Sequence, residues 1–99
     1  MSRMLNGKQR RKLRALGHHL EVVVQVGQHG VTPGVLAAVE QALFDHELIK
    51  VKVPEGEERH EVAEQLARET GAEVAQVLGR TALLFKKREE DSRFDDLGA

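Results

Sequence analysis

Val22 to Gly34 reads VVVQVGQHGVTPG, and three kinds of local structure follow one another within it. The apolar run Val22–Val26 suits a strand, because valine packs well on a pleated surface. It breaks at Gly27, passes through Gln28 and His29, and reaches a second glycine at Gly30. Thr32 can then cap a helix whose first position takes Pro33, since proline lacks an N–H that the first turn would leave unused. The stretch therefore predicts strand, G-x-x-G loop, helix. Glycines at such a junction allow a sharp turn or a close approach by another molecule, and the backbone N–H groups of the loop and of the helix start near Thr32 suit a phosphate. A glycine pair alone is weak support for that chemistry, because most such pairs are only turns.

Upstream, Asn6 and Gln9 stand at the spacing of a capping box, so a first helix is predicted from Asn6 onward. Leu13, Leu16 and Leu20 give it a buried stripe at helical spacing, with Arg11, Arg14 and His18 on the opposite face and Lys8 beside them. Downstream, a second helix is predicted over Pro33–His46, burying Val35, Leu36, Val39, Ala42 and Leu43. Phe44 points elsewhere, either onto a neighbouring element or into solvent. Leu48–Val53 alternates, with Ile49, Val51 and Val53 on one face and Lys50 and Lys52 on the other, the pattern of a strand with one side buried. Pro54 to Gly56 break the chain before a helix over Glu57–Thr70, whose inner stripe is Val62, Ala63, Leu66, Ala67 and Thr70 and whose C-terminal cap is Gly71. A hairpin follows, Glu73–Leu78 and Thr81–Lys86, turning at Gly79 and Arg80.

The predicted order is helix, strand, helix, strand, helix, strand, strand. Strands linked through helices pair in parallel and the hairpin adds an antiparallel pair, so the expected fold is α/β of the α+β kind, two-layer, with a mixed four-stranded sheet. Helices in so short a chain cover one face well and leave the other partly bare. The 99 residues suit one domain, placed at 1–88, and the acidic stretch 89–99 is expected to be a mobile tail.

The chain contains no cysteine, which removes disulfides and thiolate ligands and fits a reducing cytoplasm. There is no apolar run long enough for a membrane span, and no signal-peptide pattern. Net charge is −1, but it is segregated. Between Met1 and Leu20 stand Arg3, Lys8, Arg10, Arg11, Lys12 and Arg14 without one acid; between Glu55 and Glu73 seven glutamates face Arg59 and Arg68 alone. The chain should have a positive side, carrying the first helix and the Lys50, Lys52 strand face, and a negative side, carrying the third helix. His18 and His19 are neighbours and point in different directions on a helix, so they do not make a metal site. No nucleophile, base or P-loop stands at a useful spacing. Neither catalysis, a cofactor nor a small-molecule substrate is expected.

Four stretches, LNGKQRRKLRALGHHL (Leu5–Leu20), VVQVGQHGVTPGV (Val23–Val35), ELIKVKV (Glu47–Val53) and VLGRTALLFKK (Val77–Lys87), resemble in order the CRM domain, the chloroplast RNA splicing and ribosome maturation module, and in particular its small stand-alone bacterial, YhbY-like members. The resemblance implies a fold similar to the C-terminal domain of translation initiation factor three, RNA as the partner, and association with rRNA in precursors of the large ribosomal subunit. It implies RNA contact by Gly27, Gln28, His29 and Gly30, as in KH domains, where such a loop clamps the backbone. The basic first helix and Lys50 and Lys52 also match the family. The family pattern has lysine at the first position between the glycines, where this chain has Gln28; the amide keeps hydrogen bonding and gives up long-range attraction, part of which a protonated His29 can restore. The resulting candidate surface is Gly27, Gln28, His29, Gly30, Thr32, Lys8, Arg11, Arg14, Lys50 and Lys52. A monomer is expected. The competing reading is a protein-interaction adaptor whose oppositely charged faces dock partners without RNA, and the acidic tail is expected to compete with RNA for the basic side.

Overall fold

The computed structural model describes residues 5–94. Helix α1 spans Gly7–Gly17, strand β1 Val22–Gln25, helix α2 Pro33–His46, strand β2 Leu48–Lys52, helix α3 Glu58–Thr70, strand β3 Glu73–Leu78 and strand β4 Thr81–Phe85. The strands form one sheet in the order β1-β2-β4-β3; β1 and β2 are parallel, and the other two pairings are antiparallel. This is the expected mixed α+β arrangement. Its helix ends follow from local chemistry. Asn6 and Gln9 close a reciprocal capping box, the Thr32 hydroxyl accepts from the Val35 N–H, and Gly71 ends α3 with the left-handed backbone that a residue without a Cβ takes most easily.

The pleat of β2 sorts its side chains between two cores. Ile49, Val51 and Val53 join Val39 and Leu43 of α2 and Ala63 and Leu66 of α3 on one face of the sheet. Leu48 points the other way, into a smaller cluster with Leu13 of α1, Ala75, Leu83 and Phe85. Lys50 and Lys52 alternate with the inward residues and so share the face of Leu48. α2 and α3 thus cover one face, while α1 lies on the other over β2 and β3 and leaves it partly bare. A shift of register between Val74 and Gln76 changes the phase of β3, which is how Val74 and Val77, three apart, both reach the larger core.

The contact stripe of α1 differs from the predicted one. Leu13 is fully buried, but Leu16 and Leu20 are 45% and 37% exposed. The helix ends at Gly17, so Leu20 is not on it, and it meets the sheet along Leu13 and Gly17, four residues apart. Gly17 is where the backbones come closest: a Cβ there would stand 2.5 Å from the Leu83 Cδ1 inside the smaller core. Phe44 is 67% exposed, which settles the two placements left open for it.

The chain remains structured past the expected domain end at Arg88. Glu47, in the tight link from α2 to β2, is completely buried with φ +65°. Its carboxylate accepts from the Arg88 N–H (2.8 Å), the Ser92 hydroxyl (2.5 Å) and the Arg93 N–H (2.7 Å), and the Arg88 guanidinium lies 3.4 Å away. That guanidinium also donates to the carbonyls of Phe44 and Asp91. Residues 88–94 are drawn into a strap that lays Phe94 edge-on against Phe85, ring centres 5.1 Å apart. Polar composition suggests a mobile tail, but within 89–94 one buried acid organises that composition; residues 95–99 lie outside the described part. The acids Glu89, Glu90 and Asp91 line a cleft beside α2, on the far side of the sheet from α1.

Burial pushes the Glu47 carboxyl up, but the bonds from Ser92, Arg93 and Arg88 and the Arg88 charge outweigh burial and hold it below its ordinary value of 4.5. A pKa lowered by folding means stability that is complete above that ordinary value and is lost as pH falls through the folded value. Glu47→Gln should therefore cost roughly 2–4 kcal/mol at neutral pH in urea unfolding, speed amide exchange at Arg88 and Arg93, and flatten the loss of stability on acidification below pH 4.5. Equal acid sensitivity in both proteins would show that the strap is not held by this carboxylate.

Candidate nucleic-acid interface

The G-x-x-G loop leaves the sheet directly beside Lys52. The Val26 N–H donates to the Lys52 carbonyl (2.8 Å), and the Gly30 N–H then closes a turn on the Gly27 carbonyl (3.0 Å). Gln28 and His29 occupy the two middle positions of that turn with exposed side chains. The two glycines have different structural standing. Gly30 has φ +71°, a conformation that costs other residues about 1–2 kcal/mol. Gly27 is not in that region, and a Cβ added to it would meet nothing within 4 Å. Its own fold therefore gives no reason for a glycine at Gly27, while a bare backbone there lets a ligand come close.

The start of α2 offers fewer donors than the sequence suggested. Pro33 has none, the Val35 N–H is taken by the Thr32 hydroxyl and the Leu36 N–H by the Thr32 carbonyl. Thr32 thus acts on the helix, and the Gly34 N–H remains as a first-turn donor without an acceptor among the described residues.

Lys8, Arg11 and Arg14 are exposed on α1, and Lys50 and Lys52 are half-buried on the sheet face that α1 partly covers. These five cations share one side of the sheet, and among the described residues no acid pairs with any of them. Other cations from the sequence have structural employment. Arg10 stands near Glu73, whose carboxyl is pushed up by burial and pulled partly back by that arginine. Arg80 pairs with Glu55 at 2.7 Å, Lys86 donates to the last-turn carbonyl of Thr70 at 2.8 Å, and Arg88 belongs to the strap. Glu57, Glu58, Glu61 and Glu64 are exposed on or next to α3, on the opposite side. The predicted segregation of charge is therefore largely one of faces, with Glu73 beside Arg10 and Glu21 beside α1 as exceptions.

Sequence reasoning missed Glu47 and Phe94. Phe94 stood in a stretch read as tail, and Glu47 had no signal beyond an acid placed immediately before a buried strand. His46, the last residue of α2, is exposed. Among the described residues no three His, Cys, Asp or Glu side chains gather as metal ligands, and no helix is long and apolar enough to cross a membrane.

The model of the CRS1/YhbY (CRM) domain matches residues 5–86. A Bacillus subtilis protein named probable RNA-binding protein YqeI is 37% identical over 94 residues, 93% of this chain and 98% of that one. A Haemophilus influenzae protein named RNA-binding protein is 43% identical over 88 residues, covering 87% of this chain and 89% of its own length. Among solved structures, that of a hypothetical Staphylococcus aureus protein, described as a candidate RNA-binding protein, superposes with a TM-score of 0.80 at 33% identity, over 90% of this chain and 95% of that one. With a family match over nearly all of its described residues and relatives of the same length and fold, the chain belongs to the CRS1/YhbY (CRM) domain family.

Proposed function

We propose that this chain binds RNA with the α1 side of its sheet and its G-x-x-G loop, and that the RNA is rRNA in precursors of the large ribosomal subunit, whose assembly it assists in the cytoplasm as a monomer without catalysing a reaction. The observation that carries this reading is the set of five cations on one face without acid partners among the described residues, with the glycine turn adjoining Lys52 and the acidic helix turned away. The names of the relatives support RNA as the partner. Lys8, Arg11, Arg14, Lys50 and Lys52 supply phosphate attraction independent of sequence. Gly27 and Gly30 admit the backbone, Gln28 and His29 hydrogen-bond phosphate or sugar, and the Gly34 N–H behind the Thr32 cap points a further donor at an anion. Gln28 in place of lysine shifts the loop's contribution from long-range attraction to short-range hydrogen bonding.

Two outcomes follow. Gly27→Ala should leave urea stability unchanged or raise it by up to about 1 kcal/mol, and Gly30→Ala should lower it by about 1–2 kcal/mol. Both should weaken binding to rRNA fragments in a filter or fluorescence assay. Unaltered affinity for the stable Gly27 variant would make the loop a turn and nothing more. Arg11→Ala/Arg14→Ala should bind more weakly at low salt, with a slope of log affinity against log salt shallower by about 1.5, the loss of two phosphate contacts. No detectable RNA affinity at low salt, together with a stable protein partner, would favour the adaptor reading.

A further inference from the structure

α1 leaves the edge of its sheet face open, and a groove of about 450 Å³ runs there between the end of the helix and strands β1 and β2. Its apolar wall is made by Leu16, Leu20, Val23 and Leu48, and Phe94 of the strap closes it. Leu16, Leu20 and Val23 are among the few large apolar side chains that the described chain exposes, with Val23 at 48%. Each such exposure loses hydrophobic stabilisation, and their gathering in one concave site marks a binding surface more than chance. The rim is polar: Lys50 and Arg93 are cationic, the imidazoles of His19 and His46 stand beside them, and among the described residues Glu21 is the acid that lines it.

The groove is continuous with the proposed RNA surface. Val22 pairs with Lys50 and Gln25 with Lys52, with a shift of register between Val22 and Val24, so apolar groove, lysines and loop follow one another along the same two strands. From Val23 to Gly27 is about 13 Å of extended chain, a short run of nucleotides. A strand of RNA with its phosphates at the loop, Lys52 and Lys50 has its next base over Val23 and Leu20. An unstacked base needs an apolar or aromatic surface for its face and donors near its edge and its phosphate. The groove supplies both.

We infer that this groove holds an unstacked base of single-stranded RNA, resting on Leu20, Val23 and Phe94 with its phosphate toward Lys50 and Arg93. The inference rests on the RNA-binding reading and adds to it a site for a base, where the cations and the loop engage only backbone. It also gives the strap a part in binding. By fixing the Ser92 hydroxyl and the Arg93 N–H, Glu47 positions Phe94 and Arg93 at the groove without touching RNA itself.

The test compares the full chain with Leu20→Ser/Val23→Ser, which removes exposed apolar surface, keeps every charge and leaves both cores intact. Each protein is titrated with a uridine heptamer and with the same ribose-phosphate heptamer lacking all its bases. The unaltered chain should bind the base-bearing strand about tenfold more tightly, with amide shifts at Leu20, Val23 and Phe94 that the abasic strand does not produce. In the variant the ratio should fall below about twofold, while the salt slope is retained. Equal binding of both strands by the unaltered chain, or a base preference that survives in the variant, overturns the groove but leaves the loop and basic face standing. A change from dimer to monomer in the variant, with its base preference intact, assigns the groove to a second copy and also overturns the inference. Binding to neither strand and to no rRNA fragment at low salt removes the RNA reading and the groove together.

Discussion

A carboxylate removed from water is tolerated only where its charge and lone pairs are matched, and Glu47 is matched from a single direction, the chain beyond β4. Its backbone takes part as well: the N–H completes the end of α2 at the Leu43 carbonyl, and the carbonyl accepts from the Lys86 N–H. Its φ of +65° with ψ −46° is unfavourable for any residue with a side chain and costs about 1–3 kcal/mol. That conformation reverses the chain from helix to strand with no intervening loop, so β2 begins at once beneath α2. Four partners on the carboxylate keep the residue there. The helix-to-strand reversal, the end of the hairpin and the strap thus share one anchor, and the smaller core is completed by Phe94 because that anchor holds.

A mixed sheet with two helices on one face must place its remaining helix on the other, and α1 is too short and too strongly charged to cover that face. Its contact reduces to Leu13 and Gly17, with Gly17 bringing the helix down onto Leu83. What stays uncovered is the wet side of β2, where Lys50 and Lys52 stand, and the edge where Leu20 and Val23 are exposed. Incomplete coverage is thus the structural source of the candidate surface. A longer first helix with a wider apolar stripe would give a better core and bury the lysines.

Much of this was legible in the sequence wherever a signal is local. The alternation of Leu48–Val53, the Thr32-Pro33 helix start, the Asn6–Gln9 box and the Gly71 cap each involve residues within a few positions, and each predicts its element for a reason the structure repeats. The leucine stripe of α1 misled because periodicity tells which residues share a helix face, not how much of that face a neighbour covers. Glu47 was invisible for a related reason. Its partners lie 41 to 46 positions away, in a run whose acids and serine have the composition of a solvated tail. Composition reports the average polarity of a segment and cannot show that a single buried acceptor organises it. For the candidate surface, sequence named the cations, but which are free and which are employed emerged only from contacts: Arg80 with Glu55, Arg88 with Glu47, Lys86 on the end of α3.

That distinction bears on how a chain of net charge −1 can meet a polyanion at all. At physiological salt, interactions between exposed charges fade over about 8 Å, so a phosphate backbone near α1 feels the adjacent cations far more than glutamates across the sheet. The acids of α3 then weaken attraction little when the basic face is presented and repel RNA when the molecule approaches the other way round. Segregation converts a nearly neutral chain into one with a preferred orientation, while neutrality limits adhesion to nucleic acid at large. A uniformly basic domain of this size would gain affinity for every phosphate it met and lose that orientation. On the proposed RNA-binding reading, few cations are left for general attraction, and discrimination falls to shape and to close-range contacts of the kind that the bare backbone of Gly27, the neutral amide of Gln28 and the apolar edge of the sheet would offer.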